Sequence, residues 1–134
     1  MEILILDTDV VWYLFKLDTR AHLYKPHLDN KALCISFMTL AELERWTIAH
    51  RWGTARREEL REFITDYTVI PSSHVLCRIW AEVYEQVRNS GGHIAISDAW
   101  MAATALLYKA PLVTHNRREY STVSGLTVIS EAPL

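Results

Sequence analysis

Short continuous apolar runs alternate along this chain with longer one-sided apolar stripes, and the two patterns predict different elements. Ile3–Leu6 is apolar at four successive positions, as in a strand buried on both faces. Ala32–Ser36, Thr68–Ile70, Leu112–Thr114 and Leu126–Ile129 read the same way and give four further strands. Val75, Leu76, Ile79, Trp80, Val83, Tyr84 and Val87 instead recur at helical spacing, ended by Gly91-Gly92. Leu60, Phe63, Ile64 and Tyr67 mark a second amphipathic helix, Val10–Lys16 a short one, and Ala99–Leu107 one that is apolar nearly all round. Thr39-Leu40-Ala41-Glu42 has the form of a capping box, which predicts a helix running to about Arg51 with Gly53 past its end. From Asp18 to Lys31 the chain is polar and mixed, with Pro26 interrupting it, and reads as a loop with room for a short helix.

Strand and helix alternate throughout, and no hairpin signal such as Asn-Gly occurs. This order predicts an α/β fold with a mostly parallel sheet and helices on both faces. With no repeat, low-complexity tract or linker, residues 1–134 are expected to form one domain.

Acidic residues fall at the punctuation marks of this pattern. Asp7 ends the first strand, Glu42 lies in the helix after the second, Asp98 opens the buried helix, and Asn116 and Glu119 follow the fourth strand. In right-handed crossovers, helix N-termini and strand C-termini share one edge of the sheet, so these positions should meet there. Two carboxylates ~5 Å apart at an effective dielectric near 20 repel by about 3 kcal/mol. A cluster of them either holds protons or recruits a cation. A donor set of oxygens alone, without His or Cys, suits Mg²⁺ or Mn²⁺ rather than zinc.

Each acid also has a purely structural reading. Asp7 or Asp9 can cap a helix, and Glu42 can complete the box begun by Thr39. Asp98 can complement a helix dipole, and Glu119 can cap one turn with Asn116. Singly these readings suffice; they do not account for all four on one sheet edge.

Composition narrows the remaining classes. Half the residues are apolar and 22% charged, the balance of a folded domain rather than a disordered chain. A net charge of −2 leaves no global basic footprint, so contact with nucleic acid must be local. Cys34 and Cys77 lie in apolar segments without metal-ligand spacing and read as reduced core thiols. No run approaches the ~20 apolar residues of a membrane span and no signal peptide is evident, so the expected location is the cytoplasm.

At the acidic positions the sequence resembles the PIN domains, in particular the VapC-type toxins of toxin–antitoxin pairs. The segments that carry the likeness are Ile5-Leu6-Asp7-Thr8-Asp9, Ser36–Leu43, Ser97–Ala105 and Leu112–Tyr120 with Gly125-Leu126 after it, so it spans nearly the whole chain. It implies a three-layer sandwich around a five-stranded sheet. Asp7, Glu42 and Asp98 match the family's metal-binding acids. The fourth position lies between Asn116, where many relatives carry an acid, and Glu119 three residues on. Thr114 matches a hydroxyl often close to the metal, and Asp9 stands where Asn or a small polar residue is more usual. The implied activity is a Mg²⁺- or Mn²⁺-dependent endoribonuclease acting on structured RNA through a metal-activated water, leaving a 5′-phosphate and a 3′-hydroxyl. The resemblance also implies a small antitoxin partner and a toxin homodimer or toxin–antitoxin hetero-oligomer.

Two other functions remain to be weighed. A catalytically degenerate PIN-like module would bind RNA or protein without cutting, an alternative that Asn116 keeps open. Asp7-Thr8-Asp9 after an apolar strand also fits the nucleophile motif of haloacid-dehalogenase-like phosphatases. That class needs a later Lys and a final acidic motif, yet Lys109 is the only Lys after Lys31 and no such motif follows. Arg117 and Arg118, beside the expected site, are candidate RNA contacts. The five Arg and five Glu of Glu42–Glu62 read as an ion-paired surface, His115 as structural, and Trp46, Trp80 and Trp100 as core. Trp12 and Trp52 are expected to be partly exposed.

Overall fold

The computed structural model describes all residues, 1–134. Five strands form the sheet: β1 (Ile3–Leu6), β2 (Ala32–Ser36), β3 (Thr68–Ile70), β4 (Leu112–Val113) and β5 (Val128–Ile129). Their spatial order is β3-β2-β1-β4-β5, and every pairing is parallel. The six helices are α1 (Thr8–Lys16), α2 (Ala21–Leu28), α3 (Phe37–Ala49), α4 (Thr54–Ile64), α5 (His74–Asn89) and α6 (Ile96–Tyr108), followed by a 3₁₀ turn at Arg117–Tyr120. Both sheet faces are covered, which explains why the strands read as unbroken apolar runs. One core cluster joins Ile5, Cys34 and Leu112 to Val83 and Val87 of α5 and Met101 and Ala102 of α6. The other joins Leu4, Leu6 and Ile35 to Val10 and Val11 of α1, Leu43 of α3 and Leu60 of α4.

The chain builds β1, β2 and β3 outward to one side, then returns to place β4 and β5 on the other. Between β1 and β4 the strand order reverses, and open parallel sheets bind ligands at the carboxyl edge of such a point. Asp7 follows β1 there, and its N–H donates to Val113 O of β4 at 2.9 Å.

Several local expectations are revised. The segment Asp18–Lys31 is mostly helix: α2 contains Pro26, which has no N–H to donate back to His22, and the helix ends two residues later at Leu28. Helix α3 starts ahead of Thr39, at Phe37, and is capped by Ser36, whose Oγ accepts from Met38 N at 3.0 Å. Ser36 is the last residue of β2, so strand passes into helix with no loop between. Thr39 is then a buried residue inside the first turn, and Glu42 is released from any capping role. Helix α6 likewise begins at Ile96, which puts Asp98 within its first turn. Helix α4 ends at Ile64, leaving Tyr67 in the turn before β3. Cys34 is buried as expected, but Cys77 lies on the outer face of α5 and is exposed. Its neighbours Leu76, Val83 and Val87 occupy the inner stripe.

Replacing Ser36 by Ala removes the α3 cap at a fully buried position. Urea unfolding is expected to show a loss of about 1 kcal/mol. Thr39→Val should not reproduce a capping loss, and a Ser36→Ala protein as stable as the parent would refute the assigned helix start.

Candidate active site

Asp7 occupies the centre of the site and is only 5% exposed. It caps α1, its Oδ1 accepting from Thr8 N at 2.8 Å. Its Oδ2 accepts from Thr114 Oγ1 at 2.8 Å and lies 2.9 Å from the Tyr120 hydroxyl. Asn116 N in turn donates to Thr114 Oγ1 at 3.0 Å. The structure beyond β4 is thereby tied to the carboxylate that ends β1.

The Tyr120 hydroxyl also lies 3.2 Å from Asp98 Oδ1. It carries one proton and stands between two carboxylates, so it can donate to only one of them at a time. Burial, then the charges of Asp7 and Asp98, push its ionisation well above the usual tyrosine range, and it remains a neutral donor.

Glu42 projects from α3 and accepts a hydrogen bond from Thr8 Oγ1 at 2.6 Å. Thr8 Oγ1 lies 3.0 Å from Thr39 Oγ1, linking α1 to α3. Asp9, the next acid, accepts from Val10 N at 2.7 Å and from His115 N at 3.0 Å. It is thus both a local cap and a clasp between α1 and the segment after β4.

Asp7, Asp9, Glu42 and Asp98 all hold their protons more tightly than an ordinary acid. Burial raises Asp7 and Glu42, in each case opposed by the hydrogen bonds just described. Burial, followed by the charge of Asp7, brings Asp9 to about 7 and Asp98 to about 6. Glu119 and Glu42 add to the rise at Asp98, so acids from three helices and the 3₁₀ turn share one field. The expected gathering of acids on the sheet edge is therefore present.

The donor set is entirely oxygen, and none of its acids forms an ion pair with a Lys or Arg. Both features fit a hard divalent cation. As they stand, the side chains are hydrogen bonded to Thr8, Thr114 and Tyr120, and no three His, Cys, Asp or Glu groups close on a common point. Asn116 and Glu119 are both exposed; only Glu119 adds to the charge felt by Asp98.

Arg117 and Arg118 line an open cleft of about 320 Å³ with Asn116 and Glu119, closed on the far side by Ala132–Leu134. Arg117 is partly committed, donating to Ser130 O at 2.7 Å, whereas Arg118 makes no ion pair. His115 is held by Tyr24: its Nδ1 is hydrogen bonded to the Tyr24 hydroxyl, which also accepts from Glu131 N at 3.1 Å. Its ring packs edge-on against Tyr13, in keeping with a structural role.

Sequence reasoning passed over Thr8 and Tyr120 as members of the site. Thr8 sat between two acids and could have been suspected of orienting one of them. Nothing in the order Arg-Arg-Glu-Tyr indicates that the tyrosine turns inward to 1% exposure while the glutamate turns out.

The model of the PIN domain matches residues 4–126. Ribonuclease VapC1 of Haemophilus influenzae (strain R2866) is 30% identical over 130 residues, covering 92% of this chain and 94% of the relative. The chain belongs to the PIN-domain family, in its VapC branch. Ribonuclease VapC5 of Mycobacterium tuberculosis is 30% identical over 81 residues, covering 59% of this chain and 60% of the relative. Among solved structures, VapBC2 of Rickettsia felis bound to a DNA fragment from its promoter superposes with a TM-score of 0.84, at 22% identity, over 96% of this chain and 98% of the other. VapBC-1 from nontypeable Haemophilus influenzae gives a TM-score of 0.78 at 24% identity over 96% and 97%.

The raised acids set a pH dependence. A carboxyl whose folded pKa exceeds its unfolded value stabilises the fold while protonated, and that contribution fades as pH rises from the unfolded value towards the folded one. For Asp98 the window runs from 3.8 to about 6. Stability without divalent ions should therefore decline across it. Asp98→Asn should be more stable than the parent at pH 8 by about 1–2 kcal/mol, after discounting for partial exposure. At pH 4 the two should nearly coincide in thermal melts; a constant difference at all pH values would contradict the assignment.

Proposed function

We propose that this chain is a divalent-metal-dependent endoribonuclease, the toxin of a toxin–antitoxin pair. The observation that carries this reading is the Asp7–Tyr120–Asp98 arrangement: two desolvated carboxylates around a single phenolic proton, with Glu42, Asp9 and Glu119 adding charge. Membership of the VapC branch supports it.

Asp7, Glu42 and Asp98 would hold Mg²⁺ or Mn²⁺, with Glu119 as the fourth carboxylate and Asn116 an outer contact. Such an ion supplies positive charge and a polarised water for attack on a phosphodiester. Thr114 and Tyr120 keep Asp7 oriented, and Thr8 keeps Glu42 turned towards the same edge. Asp9, through His115 N, fixes the segment that presents Asn116, Arg117 and Arg118. Arg118 and the free part of Arg117 would hold backbone phosphates of the RNA beside the acids. A structured RNA is the proposed substrate.

The solved relatives named VapBC are toxin–antitoxin complexes, and a small antitoxin is the proposed protein partner here, with a homodimer or a toxin–antitoxin hetero-oligomer as the assembly. No helix is long and apolar enough to cross a membrane, and the proposed site of action is the cytoplasm.

Protein freed of any antitoxin should cut total RNA into discrete products with Mg²⁺ or Mn²⁺ and not with EDTA. Asp7→Ala and Asp98→Ala are expected to lose at least about 100-fold in rate, beyond the loss typical of supporting residues around a metal. Glu119→Gln should raise the Mn²⁺ concentration for half-maximal rate by about 10- to 100-fold, and Asn116→Ala by less. RNA binding without cleavage, unaffected by the Asp7 and Asp98 substitutions, would leave only a binding module.

A further inference from the structure

A second cleft opens beside the acids, between α1 and α3, with a volume of about 300 Å³. It is lined by Thr8, Asp9 and Glu42 on the side of the acids, by the buried Leu43, and by Trp12, Trp46 and Arg45. The two indoles meet edge to face, with ring centroids 5.4 Å apart and planes at 74°.

The tryptophans are not equivalent. Trp12 is braced within the fold: Trp52 stacks on it at 5.4 Å and 19°, and Lys16 Nζ stands 5.3 Å from its ring centroid. Trp46, expected in the core, is 39% exposed. It packs against His50 at 4.0 Å between centroids as well as against Trp12, and the exposed part of its surface faces the cleft rim. Arg45 is exposed and takes part in no ion pair, although acids are plentiful on the same helix and on α4. Arg56 and Arg61, by contrast, do pair, with Glu59 and Glu58 at 3.1 and 3.0 Å.

A braced aromatic wall, an open indole and an unpaired cation lead directly to the carboxylate cluster. We infer that the Trp12–Trp46–Arg45 cleft is a nucleotide subsite, which takes one unpaired base of the RNA against Trp46 and an adjacent phosphate on Arg45. This rests on the ribonuclease reading, since the cleft is continuous with Glu42 and Asp9. The volume lies at the lower end of the range for small-ligand pockets, enough for a single planar base rather than a duplex. Stacking on an indole is a general mode of holding single-stranded nucleic acid. An apolar protein segment would find contacts on Leu43 and the two indoles but none at the Thr8, Asp9 and Glu42 end, and its capture is an outcome of the test below. A nucleotide carries polar edges and hydroxyls to that end instead.

The test pairs protein variants with a series of cleavable oligoribonucleotides, each lacking one base. In the parent protein, one abasic position next to the cut bond should raise KM by about 5- to 100-fold with little change in kcat. Trp46→Ala should raise KM similarly on the intact RNA and be insensitive to that abasic position, so the two losses should not add. Trp46→Phe should restore much of the affinity, which separates stacking from misfolding. Arg45→Gln should weaken binding and lower its salt dependence by about one charge.

Unchanged cleavage by Trp46→Ala, or additive losses at every position, would overturn the subsite while leaving the ribonuclease intact. The subsite is likewise overturned if Trp46→Ala affects only inhibition by a co-purified protein partner, for the cleft then serves that partner. If the parent cuts no RNA, the ribonuclease reading fails. The subsite is then decided by affinity for the intact and abasic oligonucleotides alone, and an unaltered Trp46→Ala affinity overturns it too.

Discussion

The hydroxyl of Tyr120, shared between Asp7 and Asp98, is the contact around which this fold arranges its carboxyl edge. Asp7 ends the central strand, Asp98 opens the helix laid across that strand, and Tyr120 comes from the turn after the neighbouring strand. One phenolic proton faces two acids at 2.9 and 3.2 Å, so the arrangement leaves an electrostatic demand that the protein's own donors do not meet. A proton or a cation meets it. Stability and chemistry are therefore opposed at this point, since whatever neutralises the acids in the resting protein must make way for, or be, the group that the reaction uses.

The architecture was largely legible because parallel strands covered on both faces must be continuously apolar, and Ile3–Leu6 and Ala32–Ser36 are nearly so. The acids were legible for a topological reason: crossover units bring strand ends and helix starts to one edge whatever the details. What escaped was local. The Thr39-x-x-Glu42 spacing satisfied a capping box, but the buried Ser36 hydroxyl about one turn earlier was equally able to cap and connected straight into β2. Two adequate caps in one segment cannot be ranked without knowing where the strand ends. The correction matters for function, because it frees Glu42 from its structural alternative and directs it to Thr8.

Exposure proved harder to read than element type. A stripe of apolar residues locates the buried face of a helix but says little about its margins, where Trp46 and Cys77 lie. Trp12, Phe15, Trp52 and Phe63 fill the space between α1 and α4 with ring-to-ring contacts, and Trp46 is the member of this group left at the rim. The balanced charge of α4 did form ion pairs as its spacing suggested, which makes the solitary Arg45 on α3 more conspicuous.

The two hydroxyls that hold Asp7 come from very far along the chain: Thr114 lies 107 residues after it and Tyr120 lies 113 after it. During synthesis, Asp7, Glu42 and Asp98 all emerge before either hydroxyl does. Until the ribosome has passed residue 120, the turn after β4 is incomplete and Asp7 lacks its Tyr120 contact. A cell making this protein is thus exposed to its acids as an organised set only once nearly the entire chain has been translated. Truncated products carry most of the acidic residues but not the frame that aims them.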